Sequence, residues 1–440
     1  MYITGGVVNK DNPLYFESTR DFNLAHRKFP CIMVFCFSED DVINALKYAV
    51  SEDIHFRVRS GRNDYEGNSN VDEGMVIDIS NINYSYIDEI DKKAKFGAGI
   101  IDGKMYSDLA NRGYTIASGS CNNVGFCAQT TCGGIGFASR LLGLSCDNLL
   151  EIELINYEGK KIVANEYCNE NLFWAVRGGL AASFGVVVSL TYRITPVCKV
   201  STYAITWNSK YFIDVVDTWQ RLIPSADVRL TDNVILEKKP SGEIILASRG
   251  QFFGGKEELE RIIEPLIKAA PTECIEIETV PYKQALKTWS SVCPNNRKFK
   301  ATGSFIYKPI SKGVLKCLED KMMSAPKNCR QFYDFKGLGG NVSKIKPDET
   351  AFVHRNSLYL IEVGATWDLE IDRKDNIAWT NSVKGLLDTV GRGTYRGFTD
   401  FDIADWQWQY YGENYLRLRE VKTQYDPQNI FNFPQSIEPL

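Results

Sequence analysis

Residues 119–148, GSCNNVGFCAQTTCGGIGFASRLLGLSCDN, form the most unusual stretch of this chain. Glycines at this density occur either in flexible linkers or where the backbone packs against a planar or anionic ligand. Linkers are polar and repetitive, whereas this stretch places Val124, Phe126, Ile135 and Phe137 between its glycines. The pattern therefore favours a loop that wraps a ligand.

The chain before this loop has the pattern of a strand, a helix and a second strand. The apolar run CIMVFCF (31–37) precedes SEDDVINALKYAVSEDI (38–54), which has apolar residues at helical spacing and Ser38 as a capping residue. HFRVRS (55–60) then alternates as a strand does. This βαβ unit leads into SGRNDYEGN (60–68), a glycine-and-polar turn typical of backbone amides that face an anionic ligand.

The pattern changes after Pro196. Alternating segments such as YAITW, NVILEKK and EIILASRGQFF predict antiparallel strands, and residues 255–270 and 311–325 predict amphipathic helices. Near the end, ENYLRLREVKTQYDP (413–427) predicts a helix that stops at Asp426-Pro427. A chain of 440 residues is expected to form two structural units.

Composition excludes several classes of function. The formal net charge is −4 without long runs of one sign, which argues against nucleic acid and anionic membrane surfaces as partners. The N-terminus lacks the pattern of a signal peptide and no stretch has about 18 apolar residues, so we expect a cytoplasmic protein. The 12 cysteines are spread singly and there are only 3 histidines, so we predict no metal site.

Several motifs in order resemble the berberine bridge enzyme-like family, within the vanillyl-alcohol oxidase fold. RSGRNDYEG (59–67) resembles the family's R-S-G-G-H-D-Y-E-G loop, and GSCNNVG (119–125) with GGIG (133–136) resembles its flavin loop, G-x-C-P-T-V-G…G-G-G-x-G. The resemblance continues through GLSCDN (143–148), LFWAVRGG (172–179), AFVHR (351–355), YYGENY (410–415) and PQS (434–436).

The resemblance implies an α+β fold, with a PCMH-type FAD-binding domain and a substrate domain whose antiparallel sheet is backed by helices. It implies that residues 1–198 bind FAD, that residues 199–395 form the substrate domain, and that residues 396–440 return to the FAD-binding domain.

By the same resemblance, two glycine-rich loops, the start of a strand and two asparagines contact FAD. Arg62 stands where the family has glycine, so its guanidinium is expected either to reach a phosphate or to point to solvent. The implied cofactor residues are Ser60, Gly61, Arg62, Asn63, Asp64, Gly119, Ser120, Cys121, Val124, Gly125, Gly133, Gly134, Gly136, Asn148, Gly185, Val186, Val187 and Asn414.

The family attaches its flavin through a histidine and a cysteine. Asn63 stands at the histidine position and its amide cannot make that bond, whereas Cys121 stands at the cysteine position. The resemblance therefore implies FAD with one thioether bond through Cys121, with the alternative that Cys121 is one more buried thiol.

The residue that removes the substrate proton departs from the family pattern. Family members carry Y-x-N-[YH], whereas residues 395–398 here read YRGF, and the phenyl ring of Phe398 cannot accept a proton. Glu362, in the strand-like LYLIEVGATW, is the first candidate base because burial in a pocket would raise its pKa. Tyr395, Tyr65 and Tyr411 are further candidates, with an ion-paired structural role as the alternative for Glu362.

Val124 stands at the family position beside the flavin where a small residue accompanies O2 access. We therefore expect an oxidase that takes a hydride from a small organic substrate, such as an alcohol, a sugar or an intermediate of secondary metabolism, and reduces O2 to H2O2. The alternatives are a flavin-dependent dehydrogenase, a non-oxidative tailoring enzyme, or a flavin-binding protein with impaired catalysis.

Overall fold

The computed structural model describes residues 3–291 and 296–440. The chain begins with a four-stranded sheet in the order β1-β2-β4-β3, in which β4 pairs in parallel with both β2 and β3. Its elements are β1 (Gly6–Asn9), α1 (Tyr15–Ser18), β2 (Ile32–Phe35), α2 (Glu39–Ser51), β3 (Phe56–Arg59) and β4 (Met75–Asp78).

The βαβ unit predicted from residues 31–59 is confirmed. Ser38 begins α2 and accepts a hydrogen bond from the backbone N–H of Asp41 at 3.2 Å, while the Asp41 carboxylate accepts from the N–H of Ser38. This reciprocal cap satisfies two N–H groups that the helix leaves without partners. Strand β3 then ends at the turn that carries the first glycine loop.

A five-stranded antiparallel sheet in the order β5-β6-β10-β8-β9 follows, and the second glycine loop crosses its end. Only short helices form within the loop, because its glycines break up longer ones. The elements are β5 (Ser85–Asp88), β6 (Lys93–Gly97), α3 (Asp102–Ala110), β7 (Tyr114–Thr115), α4 (Phe126–Thr131), α5 (Ser139–Leu142), β8 (Leu149–Ile155), β9 (Lys161–Asn165), α6 (Glu170–Val176), β10 (Val186–Arg193) and β11 (Thr195–Pro196).

A seven-stranded antiparallel sheet follows, in the order β15-β12-β14-β13-β17-β18-β16. One face packs on α7, α8, α10 and α11 around a second apolar core. The elements are β12 (Lys199–Asn208), α7 (Phe212–Leu222), β13 (Leu230–Lys238), β14 (Ile244–Phe252), α8 (Lys256–Ile267), β15 (Thr272–Pro281), α9 (Tyr282–Ser291), β16 (Lys298–Ile306), α10 (Lys312–Met323), β17 (Arg330–Gly337), β18 (Tyr359–Trp367), α11 (Arg373–Leu387), α12 (Trp406–Tyr411) and α13 (Tyr415–Tyr425). The predicted α+β class, with an antiparallel sheet backed by helices, is confirmed.

The end of the chain returns to the first core. Leu418, Val421 and Tyr425 of α13 are buried with side chains from the two N-terminal sheets. Helix α13 ends at Tyr425, directly before Asp426-Pro427, as predicted. Across residues 3–291 and 296–440, every helix is too short or too polar to cross a lipid bilayer.

Candidate active site

A cavity of about 650 Å³ lies between the two glycine-rich loops and the open face of the seven-stranded sheet. Residues 60–64 and 119–125 line one side, and alternate residues of β13 and β17, together with Glu362 of β18, line the other. Most of the cofactor residues predicted from the sequence therefore meet in one cavity. They are Ser60, Gly61, Arg62, Asn63, Asp64, Gly119, Ser120, Cys121, Val124, Gly125, Gly136, Gly185 and Val187.

The two loops touch where glycine is required. A methyl group on Gly125 would lie 2.6 Å from the Ser60 hydroxyl oxygen and 2.8 Å from the backbone nitrogen of Gly61. Both distances are shorter than van der Waals contact, so a larger residue would force the loops apart. This contact explains the glycines at positions 61 and 125.

Arg62 lines the cavity and its side chain extends toward the end of β4. Its backbone is left-handed, with φ +62°, and its guanidinium lies 3.5 Å from the carboxylate of Asp78. The same carboxylate forms a fully buried ion pair with Arg59 at 2.6 Å. Asp78, at the end of β4, therefore holds both Arg59 and Arg62 and so supports the first loop, residues 60–64.

Asn63 occupies the family's histidine position and joins the two loops. With its amide nitrogen turned toward the neighbouring carbonyls, Asn63 donates to the backbone oxygen of Asn123 at 2.8 Å and also to that of Gly61. A side chain that cannot bond to a flavin thus bridges the loops by hydrogen bonds. Next to it, Asp64 accepts from the backbone N–H groups of Glu66 and Asn68, both at 2.9 Å, which fixes the turn.

The second loop depends on Gln129, which the sequence analysis missed. The Gln129 side-chain oxygen accepts from the N–H of Gly119 at 2.9 Å and from the hydroxyl of Ser118 at 2.5 Å, and Gln129 itself lines the cavity. Behind them, burial raises the pKa of Asp102 well above its ordinary value. A polar residue one helical turn into α4 is the signal that could have identified Gln129.

Cys121 lines the cavity as predicted, but its sulfur is disulfide-bonded in this structure. A thioether or disulfide sulfur forms two single bonds, one of them to its own Cβ atom. A sulfur already bonded to a second sulfur therefore cannot also be bonded to carbon 6 of a flavin. The thioether through Cys121 therefore stays a prediction, and its formation requires this disulfide to be reduced first.

Five predicted cofactor residues lie outside the cavity lining, and their polar groups have other partners. The Asn148 amide donates to the carbonyl of Leu142 at 2.9 Å, and the Asn414 amide donates to that of Pro347 at 2.7 Å. Buried amides need hydrogen bonds, and backbone carbonyls meet that need here without FAD, so the assignment of both residues to FAD stays a prediction. The other three are Gly133, Gly134 and Val186, which pack behind the loop and strand that do line the cavity.

Glu362 and Tyr65 meet at the base of the cavity. Glu362, in β18, accepts a hydrogen bond from the Tyr65 hydroxyl at 3.0 Å, and its second oxygen lies 3.3 Å from the ammonium of Lys336. Burial raises the pKa of Glu362, and Lys336 opposes that effect. Burial and the neighbouring Glu362 raise the pKa of Tyr65 far above its usual range, so Tyr65 keeps its proton and Glu362 is the better acceptor.

The other tyrosines suit proton abstraction less well. Phe398 stacks on Tyr65 at 5.4 Å with an interplanar angle of 9° and supports it. Tyr395 lines the cavity, but its hydroxyl accepts from the N–H of Gly134 at 3.0 Å, and burial raises its pKa well above the ordinary value. Tyr411 lies outside the cavity and stacks on Tyr415, so we correct its assignment as a base.

His354 and Arg355 hold the two units together and do not line the cavity. Arg355 pairs with Asp147 through two contacts of 2.7 Å. His354 lies between the Tyr307 hydroxyl, at 2.9 Å, and the carbonyl of Gln409, at 3.0 Å. Burial lowers the pKa of His354 to about 3, so it stays neutral. These contacts give His354 and Arg355 a structural role.

The residues that line the cavity are suited to bind FAD. The isoalloxazine ring of FAD needs a flat slot, and the two phosphates of FAD need backbone N–H groups, which the close-packed loops at residues 60–64 and 119–125 offer. Gly185 and Val187 extend the same wall toward Phe431 and Phe433.

Comparisons with known proteins agree with this geometry. The family described as "FAD binding domain" matches residues 30–165, and the family described as "Berberine and berberine like" matches residues 394–438. The FAD-linked oxidoreductase YgaK of Bacillus subtilis (strain 168) is 36% identical over 443 residues, which cover 100% of this chain and 98% of YgaK. This chain belongs to the berberine bridge enzyme-like family. It is an FAD-linked oxidoreductase, and FAD is its cofactor.

Other members of the berberine bridge enzyme-like family support the fold. The FAD-linked oxidoreductase YvdP of Bacillus subtilis (strain 168) is 33% identical, covering 99% of this chain and 98% of YvdP. The structure of Physcomitrella patens BBE-like 1 is 27% identical and superposes with a TM-score of 0.92, covering 98% of this chain and 96% of that one. The expectation of a PCMH-type FAD-binding fold is confirmed.

Proposed function

We propose that this enzyme is an oxidase that removes a hydride from an alcohol or sugar carbon of a small organic substrate, with O2 as the final electron acceptor. The observation that carries the proposal is the buried carboxylate of Glu362, held at 3.0 Å from the Tyr65 hydroxyl in the cavity that fits FAD. When bound, FAD takes up the hydride and passes two electrons to O2, which yields H2O2.

The chain supplies the proton chemistry. As the substrate C–H bond breaks, the hydroxyl proton has to leave so that a carbonyl group forms. Glu362 accepts this proton, either directly or through the Tyr65 hydroxyl, which then passes its own proton to Glu362. Lys336, 3.3 Å away, favours the charged form of the carboxylate and so opposes the effect of burial. Phe398 excludes water from one face of Tyr65.

We propose the domain division stated from the sequence, in which residues 1–198 and 396–440 hold FAD and residues 199–395 hold the substrate. Two separate apolar cores support it, the first built mainly from residues 34–194 and 403–437 and the second from residues 203–387. The cytoplasmic location and the place in secondary metabolism stay predictions.

Reduction and reoxidation of the bound FAD test the oxidase proposal. We expect candidate alcohols and sugars to bleach the yellow holoenzyme without air, and air to restore the colour with formation of H2O2. In Val124→Ile, a larger side chain at the cavity wall should slow the return of colour about tenfold or more, which corresponds to about 1.4 kcal/mol on the barrier.

The exposed Val50→Ile is the matched control, because it adds the same methyl group at the surface. Colour that does not return in air, but returns with an artificial electron acceptor, would identify a dehydrogenase. Failure of every candidate to bleach the FAD would contradict hydride transfer.

Acid precipitation tests how FAD is attached. Because Asn63 cannot bond to the flavin, a covalent bond has to form through Cys121 after its disulfide is reduced; with the disulfide intact, we expect the yellow colour to leave the pellet and appear in the supernatant. A wild-type pellet that stays yellow, together with a colourless Cys121→Ala pellet, would instead establish the single thioether bond implied by the family resemblance.

A further inference from the structure

The open face of the seven-stranded sheet forms the cavity wall opposite the glycine loops. Every second residue of a strand points to the same face, and the alternate set on β13 and β17 lies in the second apolar core. The residues left facing the cavity are unusually polar for a buried wall. They include Asn233, Glu237, Arg249, Arg330, Lys336 and Glu362.

Most charges on this wall are paired. Arg330 lies 2.7 Å from Glu237, and Lys336 pairs with both Asp334 and Glu362. Arg249 differs from them. Within residues 3–291 and 296–440, its half-buried guanidinium has neither a carboxylate within ion-pair distance nor a hydrogen-bond acceptor.

Asn233 stands directly across from Arg249 in the β13–β14 pairing. Its half-buried side-chain amide also lacks a hydrogen-bond partner among the residues that the structure describes. Two neighbouring groups with unused donors thus face the same cavity. Polar groups at this depth are normally hydrogen-bonded, so the pair is suited to a ligand with anionic oxygen atoms.

We propose that Arg249, assisted by Asn233, binds an anionic group of the substrate, either a carboxylate or a phosphate ester. A guanidinium offers two parallel N–H donors to such a group, which makes it selective for planar or tetrahedral oxyanions. The proposal rests on the proposed function, because it assigns the substrate class of that same cavity.

The register also sets where the anionic group lies. Glu362 is on β18 and Arg249 on β14, with β17 and β13 between them. At a strand spacing of about 4.8 Å, their backbones are about 14 Å or more apart. The anionic group is therefore bound three strands along the sheet from the carboxylate that takes up the substrate proton.

Calorimetric titration of the FAD-loaded protein tests the proposal with three probes: benzoate, phenyl phosphate and the uncharged benzamide. We expect at least one anion to bind about tenfold or more tightly than benzamide, and Arg249→Gln to remove this preference. Arg249→Lys should retain part of it, since an ammonium keeps the charge but loses the paired donors. The exposed Arg261→Gln is the matched control.

A preference for benzoate would identify a carboxylate site, and a preference for phenyl phosphate a phosphate site. Equal binding of anions and benzamide by the wild type, or an unchanged preference in Arg249→Gln, would overturn the proposal, as would a loss of FAD from that variant. The proposed function fails separately: bleaching by neutral substrates without any anion preference would keep the oxidase and reject this site. A preference for anions that depends on Arg249, without bleaching by any candidate substrate, would keep this anion site and reject the oxidase.

Discussion

Replacing Glu362 by Gln lowers the rate of anaerobic FAD bleaching by about 10²–10⁴-fold, the usual contribution of a positioned general base. Glutamine has nearly the same shape and still accepts the hydrogen bond that Tyr65 donates at 3.0 Å. Lys336 keeps its ion pair with Asp334. The substitution therefore removes the proton acceptor while leaving its surroundings paired.

The pH profile separates this role from a structural one. Burial raises the pKa of Glu362 above its ordinary value of 4.5, although Lys336 opposes the shift. Since the base must be charged to accept a proton, the wild-type bleaching rate should rise with pH through an acidic limb above 4.5. That limb should be absent from Glu362→Gln.

The exposed Glu243→Gln, whose carboxylate pairs with Lys239 at 3.0 Å, is the matched control and should bleach at the wild-type rate. FAD content and thermal stability of both variants show whether they fold. A Glu362→Gln enzyme that holds FAD and bleaches at the wild-type rate would exclude Glu362 as the base and direct attention to Tyr65.

The two glycine-rich loops could be predicted because their function depends on close approach of the backbone. Gly125 is glycine because a methyl group there would strike Ser60, and such restrictions leave glycine and polar residues in recognisable order. Ser38 and its helix were predictable for the same reason, since capping is a local interaction between residues three apart.

Side-chain partners were less predictable because they depend on distant contacts. A buried asparagine needs hydrogen bonds, but the sequence does not say whether FAD or a carbonyl supplies them, and Asn414 uses the carbonyl of Pro347. The alternation in NVILEKK predicts a strand with two faces. Which face meets the cavity is set by the helices that pack on the opposite face of the sheet, so Asn233 and Arg249 were missed.

The second large effect is expected at the contact between the two units. Lys300, in β16 of the substrate sheet, is buried and forms ion pairs of 2.6 Å with both Glu66, beside the first loop, and Asp400. Lys300→Met should destabilise the protein by about 3–5 kcal/mol, because it leaves these buried carboxylates without their cation. We expect the thermal midpoint to fall by about 5 °C or more.

Lys298→Met is a matched control on the same strand, because Lys298 pairs with the exposed Glu370 at 3.2 Å. An exposed pair contributes about 1 kcal/mol or less. If Lys298→Met lowered the thermal midpoint as much as Lys300→Met, the buried network would not be the cause.

The pH dependence of the stability lost in Lys300→Met follows from the pKa values of Glu66 and Lys300. Burial raises the pKa of Glu66, but the hydrogen bond from His26 and the charge of Lys300 outweigh burial and hold that pKa below its ordinary value of 4.5. Burial lowers the pKa of Lys300, but Asp400 and Glu66 raise it above its ordinary value of 10.5. A lowered carboxyl pKa stabilises the fold above pH 4.5, and a raised amine pKa does so below pH 10.5. The difference between wild type and Lys300→Met should thus be largest between these values and shrink as the pH falls below 4.5, whereas a loss caused by poorer packing alone would persist in acid.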